Sequence, residues 1–270
     1  MSEVKERYLP FVETDPNLDA PAMRAEMDER GYLFFRRVVP EDVIMNVRRQ
    51  ILEMQRDAGW LDPARDLMDG YAHPAYPPTM EGKADYMVVY RKVLKNPDFF
   101  NLPAHPALMR IANKLLDTPE AFVHPRRIGR MTFPNYVEAT TPAHQDHFYI
   151  RGAVETYSCW MPLGAVPVEL GGLAVWPGSQ RLGFIEHTSH IQGSVGGRGV
   201  QPDELAKPDA PVWHTTAFEP GDALFFHAYT IHKALPNLTG NRMRLSTDNR
   251  YQRKDDPIEP GALRPHFDLN

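Results

Sequence analysis

The chain is poor in cysteine. Cys159 is the only one in 270 residues, which excludes an internal disulfide and fits a reducing compartment, the cytoplasm. Long apolar runs are also missing. None approaches the ~20 residues needed to cross a bilayer, so no transmembrane helix is expected. The opening Met1–Arg7 is charged and lacks the apolar core of a signal peptide. There is no excess of positive charge: 30 Lys and Arg against 35 Asp and Glu leave a net charge of -5. Bulk electrostatics therefore argues against a nucleic-acid partner, although a local basic patch can hide inside such a total. Internal repeats and low-complexity segments are absent. The composition itself is that of a globular protein with a substantial core, 42% hydrophobic and 24% charged. Proline is abundant, with 26 residues, so short elements between stiff turns are expected rather than long helices. The oligomeric state is left open.

The first part of the chain reads as helical. Asp19 can cap a helix with Pro21 in its first turn, and Gly31 can end it. Tyr32–Phe35 reads as a short buried strand. Pro40 opens a longer helix, with Glu41 and Asp42 favourable at its N-terminus and an apolar stripe through Val43, Val47, Ile51 and Met54, until Gly59. Residues 60–92 show no clear period. They are expected to form an irregular loop with some aromatic packing or, alternatively, a lid over a pocket. A further helix is expected over Pro106 to Leu116.

Beyond about residue 120 the texture changes. Runs of four to eight residues rich in Val, Ile, Phe, Tyr and Trp alternate with Gly and Pro turns. The candidate strands are Ala121–His124, Arg127–Phe133, Phe148–Ala153, Tyr157–Leu163, Leu173–Trp176, Val212–Thr215, Ala223–Phe226 and Arg244–Tyr251. Such a series points to a sandwich or jelly roll. The fold class is therefore α+β, mainly β. We expect one domain over 1–270, with a mostly helical layer (1–118), a double-sheet core (119–252) and a C-terminal tail (253–270).

The chemistry is concentrated at His144-Gln145-Asp146. On an extended segment, residues i and i+2 share a face, so this H-x-D pair presents an imidazole and a carboxylate together. Two such ligands plus a distant histidine make the 2-His-1-carboxylate triad of non-haem Fe(II) oxygenases. The pair alone is weak. With the histidines and aspartates of this chain, random placement yields about 0.8 such matches, and His266-Phe267-Asp268 in the tail is a decoy. A second histidine-bearing run, Gly221 to Asn237, offers His227 and His232. One is expected to be a ligand and the other structural, and spacing does not choose between them. Beyond it, Arg242, Arg244 and Ser246 share one parity. A guanidinium beside a hydroxyl suits a carboxylate, but periodicity does not say which arginine matters.

Taken in order, these features resemble the phytanoyl-CoA dioxygenase-like branch of the Fe(II)/2-oxoglutarate-dependent oxygenases. The resemblance rests on Gly31–Phe35, His105-Pro106-Ala107-Leu108, His144-Gln145-Asp146 and Cys159–Leu163. It continues through Gly171-Gly172-Leu173, Pro177-Gly178-Ser179-Gln180 and the run from Gly221-Asp222 to Asn237. It implies a double-stranded β-helix, a jelly roll holding metal at one mouth. It also implies His144, Asp146 and His232 as iron ligands, with His227 as packing. Arg244 matches the arginine that holds the distal carboxylate of 2-oxoglutarate, with Ser246 completing an R-x-S pattern; the arginine usually falls about one residue earlier, which keeps Arg242 in play. Gln145 and Trp160 match positions that often touch the cosubstrate. Gln180 departs from the family pattern, which more often has His there. The implied reaction consumes O2 and 2-oxoglutarate and releases succinate and CO2 while oxidising a small-molecule substrate. Halogenases of the family carry a small residue where Asp146 stands, so hydroxylation or another oxidation (desaturation, ring closure, epimerisation) is expected.

Two rivals belong to other classes. A dinuclear metallohydrolase could use Asp146-His147 but needs further upstream ligands that are missing. A non-enzymatic jelly-roll binding protein would be expected to have lost a ligand position, and all three are filled. No clear basic cluster for a CoA phosphate is visible, which favours a small metabolite or natural product over an acyl-CoA. Residues 60–92 and Gly193–Gly199 are the expected pocket walls, and 60–92 or 183–215 the expected lid.

Overall fold

The computed structural model describes residues 6–187, 189–190, 198–206 and 209–269. Strand β1 (Arg7–Leu9) precedes helix α1 (Ala20–Arg30) and strand β2 (Tyr32–Phe35). Helices α2 (Glu41–Asp57), α3 (Ala84–Lys95), α4 (Pro97–Asn101) and α5 (Pro106–Leu116) complete a helical layer. Helix α1 starts as its sequence dictates, with the Asp19 carboxylate accepting from the Ala22 N–H, and stops at Gly31. Gly31 has φ +75°, and a Cβ there would lie 2.2 Å from Gln180 Oε1, so both backbone and space call for glycine.

The second half supplies β3 (Ala121–Val123), β4 (Ile128–Thr132), the short helix α6 (His147–Ile150), β5 (Thr156–Pro162) and β6 (Leu173–Val175). It continues with the paired β7 (Ser189–His190) and β8 (Arg198–Gly199), helix α7 (Pro202–Leu205) and β9 (Val212–His214). The last three strands are β10 (Ala223–His227), β11 (His232–Ala234) and β12 (Arg244–Arg253). The major sheet runs β2-β10-β5-β12-β3, with β4 also paired to β12; the minor sheet runs β1-β9-β6-β11.

The alternation of side chains along the major sheet creates two cores. Leu33, Phe35, Phe225, Cys159 and Met161 face the helices. Tyr32, Phe34, Leu224, Phe226 and Trp160 face the minor sheet and pack on its Leu173 and Val175. Strands buried on both faces read as continuous apolar runs, which is why β2 and β10 stand out in the sequence. This is the jelly-roll class with a helical layer. Among the described residues no helix is long and apolar enough to cross a membrane.

Several expectations need correction. Phe148–Ala153 is not a strand; its first part lies in α6. Residues 60–92 are not uniformly irregular, because α3 begins at Ala84. Its Tyr86 and Tyr90 hydroxyls accept from the N–H groups of Met131 and Gly129 at 3.2 and 3.3 Å. The helix thus satisfies donors along β4, a reason for two tyrosines that helical periodicity does not reveal. Trp60 is fully buried in the helix-side core rather than lining a pocket. On α2 the buried stripe is Ile44, Val47, Ile51 and Leu52, so Val43 and Met54 sit at its margin. Strands β1, β7, β8 and β11 escaped the sequence reading. Of the stretch Gly193–Gly199, residues 193–197 lie outside the described residues.

Candidate metal centre

His144, Asp146 and His232 converge: one ligand atom from each lies within 4.8 Å of the others, and all three residues are buried. The expected reason for the convergence is wrong in detail. His144 and Asp146 do not lie on one strand. His144 makes an isolated bridge to His232, each N–H donating to the other's carbonyl at 3.0 and 3.1 Å. Asp146 is already helical, with φ −60° and ψ −34°, as the residue before α6. Turn geometry, not strand alternation, swings its carboxylate back toward the rings. His144 Nε2 lies 3.7 Å and His232 Nε2 3.8 Å from Asp146 Oδ1.

The tautomers follow from the backbone. His144 Nδ1 is 2.7 Å from the Pro142 carbonyl and His232 Nδ1 is 3.0 Å from the Thr230 carbonyl. A carbonyl only accepts, so each Nδ1 carries the proton and each Nε2 presents its lone pair toward Asp146. Burial pushes the His232 imidazole down to about 3, so it stays neutral, as a metal ligand requires.

Asp146 is buried, which opposes its charge. The Arg250 guanidinium beside it nevertheless holds the carboxyl well below the usual carboxylate range. Arg250 Nε donates to Oδ2 at 3.2 Å, and Nη2 reaches Oδ1 and Oδ2 at 3.0 and 2.9 Å. The Ser158 hydroxyl also donates to Oδ2. Arg250 and Ser158 are register partners on β12 and β5, so the sheet itself places this clamp. The sequence reading missed both. Arg250 shares the parity of Arg244 and Ser246, and that signal could have pointed it inward.

Arg244 is also buried, and burial lowers it to about 10. Its Nη1 donates to Ser246 Oγ at 3.1 Å and its Nη2 to Thr132 Oγ1 at 2.9 Å, while Nε has no partner. No carboxylate contacts it among the described residues. A buried guanidinium held by hydroxyls alone is a seat for an incoming anion. Arg242 lies before β12 and outside the cavity wall.

These groups line one cavity of about 150 Å³, together with Trp160 and Ile150. Gln145 does not line it. Its side chain is occupied by the Gly183 and Tyr229 carbonyls, at 2.8 and 2.7 Å, and by the Ile185 N–H at 2.8 Å. Ser246 reaches the cavity only through Arg244. His227 ends β10 in the major sheet and its Nδ1 accepts from Tyr229 N–H at 3.0 Å. It belongs to a different sheet from His232. His147 packs on Tyr229 and Phe184. From the tail pair, His266 enters the cavity wall while the Asp268 carbonyl accepts from Arg91 at 2.9 Å.

The donor set fits iron: two neutral imidazole nitrogens and one carboxylate oxygen, each oriented by a second partner. The anion seat at Arg244 fits the distal carboxylate of 2-oxoglutarate.

Comparison with known proteins agrees. Residues 27–245 match the model of the family described as phytanoyl-CoA dioxygenase (PhyH). The 1-deoxypentalenic acid 11-beta-hydroxylase of Streptomyces exfoliatus is 30% identical over 269 residues, spanning 94% of this chain and 89% of the relative. Among solved structures, the non-heme alpha ketoglutarate dependent carbocyclase SnoK of nogalamycin biosynthesis shares the fold, with a TM-score of 0.61 at 21% identity over 93% of this chain and 90% of that one. The epimerase SnoN, solved with Fe3+, alpha ketoglutarate and nogalamycin RO, gives 0.60 at 20% identity over 89% and 86%. The chain belongs to the phytanoyl-CoA dioxygenase family and is a non-haem Fe(II)- and 2-oxoglutarate-dependent oxygenase.

Proposed function

We propose that this oxygenase hydroxylates a small metabolite or natural product, with His144, Asp146 and His232 as iron ligands and Arg244 as the anchor of 2-oxoglutarate. The observation that carries the reading is the meeting of two imidazole Nε2 atoms and one carboxylate oxygen in a cavity that also holds a guanidinium without a carboxylate partner. Bound iron with 2-oxoglutarate and O2 supplies oxidative decarboxylation to succinate and CO2 and the oxidant that takes hydrogen from the substrate. The chain supplies the geometry. The Pro142 and Thr230 carbonyls fix the rings, Arg250 and Ser158 fix the Asp146 carboxylate, and Thr132 and Ser246 aim Arg244. Trp160 and Ile150 give the cavity apolar walls that exclude water from the reacting centre. Gln145 acts by tying the loop at Gly183–Ile185 to the metal-bearing segment rather than by touching the cosubstrate.

Hydroxylation is favoured over ring closure or epimerisation because the hydroxylase relative is more similar in sequence than the carbocyclase and the epimerase. One catalytic unit over 1–270 is supported by the cavity itself: Glu81 comes from the helical layer and His266 from the tail. The buried, unpaired Cys159 supports a cytoplasmic site of action. The test is anaerobic titration with Fe(II) and 2-oxoglutarate, read by the charge-transfer absorption of the complex, followed by succinate release across a metabolite library that includes 1-deoxypentalenic acid. Absence of both the band and the succinate would sink the proposal.

A further inference from the structure

We propose that Arg126 and the free Nη1 of Arg250 form a subsite for a carboxylate of the primary substrate, on the side of the metal group away from Arg244. The inference rests on the iron and 2-oxoglutarate reading above.

Arg250 is 5% exposed, and while its Nε and Nη2 grip Asp146, its Nη1 is buried without a hydrogen-bond partner among the described residues. A buried guanidinium N–H left unmade is costly, so a ligand oxygen is the expected complement. Arg126 lines the same cavity, is half-buried, and has no hydrogen-bond or ion-pair partner among the described residues. Strand register brings the two together. The His124 N–H donates to the Arg250 carbonyl at 2.9 Å and Ile128 pairs with Asp248, so Arg126 lies in the bulge between these two pairings, on the same cavity wall as Arg250. Arg244 is six residues away along β12, roughly 20 Å of strand. The cosubstrate seat and this second pole are therefore separate.

Charge balance points the same way. The cavity is lined by four arginines, at 126, 130, 244 and 250, against three carboxylates, Glu81, Asp146 and Asp248. Glu81 contacts Arg130, and Asp248 lies 4.0 Å from Arg130. Iron brings two positive charges and 2-oxoglutarate two negative ones, so loading the site leaves one cation unmatched. A monoanionic substrate removes that excess, and a neutral one leaves it in place. A carboxylate suits two planar forks better than a point acceptor does. His266 of the tail also lines this cavity, its Nδ1 held 2.8 Å from the Tyr90 hydroxyl, so a substrate here lies beneath the C-terminal segment.

The test uses the anaerobic Fe(II)·2-oxoglutarate enzyme. Matched sets of small metabolites, each as carboxylic acid, methyl ester, alcohol and phosphate, are titrated while the charge-transfer band is followed. If the band never forms with 2-oxoglutarate, the iron and cosubstrate reading fails and not this one. With the band present, acids are expected to perturb it at least tenfold more tightly than their esters or alcohols. Arg126→Met is expected to weaken the acids at least tenfold and erase the preference, with Arg126→Lys recovering part of it and 2-oxoglutarate affinity unchanged in both. The proposal is overturned if esters bind as well as acids, if phosphates bind best, or if no acid perturbs the band at several millimolar. Loss of 2-oxoglutarate affinity in Arg126→Met would assign the residue to the cosubstrate and overturn it equally. Arg126 has no hydrogen-bond or ion-pair partner to lose among the described residues, so the melting temperature of both variants should match the parent.

Discussion

Replacing His144, Asp146 or His232 by Ala leaves two protein ligands where iron needs three. Each change is expected to abolish 2-oxoglutarate turnover and the charge-transfer band, whereas Ala at His147 or His227 keeps both. Retention of the band in His232→Ala with its loss in His227→Ala would exchange the two histidines. Arg244 and Arg242 separate more sharply in three dimensions than in sequence, since only Arg244 is inside the cavity wall. Arg244→Ala should raise the 2-oxoglutarate dissociation constant by tens-fold or more, corresponding to about 2–5 kcal/mol for an unpaired buried carboxylate. Arg242→Ala should change it little, and calorimetric titration checks the ranking. Arg250→Leu removes the clamp on the Asp146 carboxylate while leaving all three ligands in place. Fe(II) affinity should fall about 10–100-fold, measured by competition with a chelator; unchanged affinity would show that Ser158 alone suffices.

Elements place these residues, and some of them were harder to read than the residues themselves. Strands β2 and β10 are legible because both of their faces are buried, and α5 because its apolar stripe is regular. Helix α6 was not legible: four residues are too few to show a helical period, and Phe148–Ile150 look like a strand. Helix α3 was obscured by the Pro- and Gly-containing segment before it. The turn into β6 is where a single methyl group would do most harm. Gly171 has φ +80°, and a Cβ there would lie 2.4 Å from the Leu235 carbonyl oxygen, a backbone atom that cannot rotate away. β6 pairs with β11 and so holds His232 in place. Gly171→Ala should therefore destabilise the fold by about 2 kcal/mol or more. Thermal melting would show a drop of several degrees, with iron affinity falling alongside. A melting curve that superimposes on the parent's would refute the argument.

For the molecule as a whole, buried neutral histidines make stability depend on pH. His124 is not one of the three metal-group residues; its Nε2 lies 2.7 Å from Gln252 Oε1, and burial pushes it down to about 4. An unfolded chain takes up that proton near pH 6.5. Below that pH the unfolded state binds a proton that the fold refuses. Stability is therefore full above about 6.5 and falls as pH drops toward 4, with His124 contributing about 3 kcal/mol of the loss. Urea unfolding of the parent and of His124→Gln between pH 7 and 4 checks this. The variant should show the shallower slope, and parallel slopes would exclude His124 as the source.

The order of motifs along the chain determined the family, the jelly-roll class and the identities of the three ligand candidates. These depend on residue type and succession, which a linear text carries in full. Periodicity left two arginines, the family resemblance favoured Arg244 through its R-x-S pattern, and the fold puts Arg244 rather than Arg242 in the cavity wall, with Thr132 and Ser246 as hydroxyl partners. Tertiary structure alone decided that Asp146 reaches the histidines through a helical turn and that Arg250 and Ser158 clamp it. It also brought Glu81 and His266, 185 positions apart, to one cavity wall. Such meetings arise from strand register and the closure of two sheets. No local stretch of sequence encodes a contact whose partner lies on another strand.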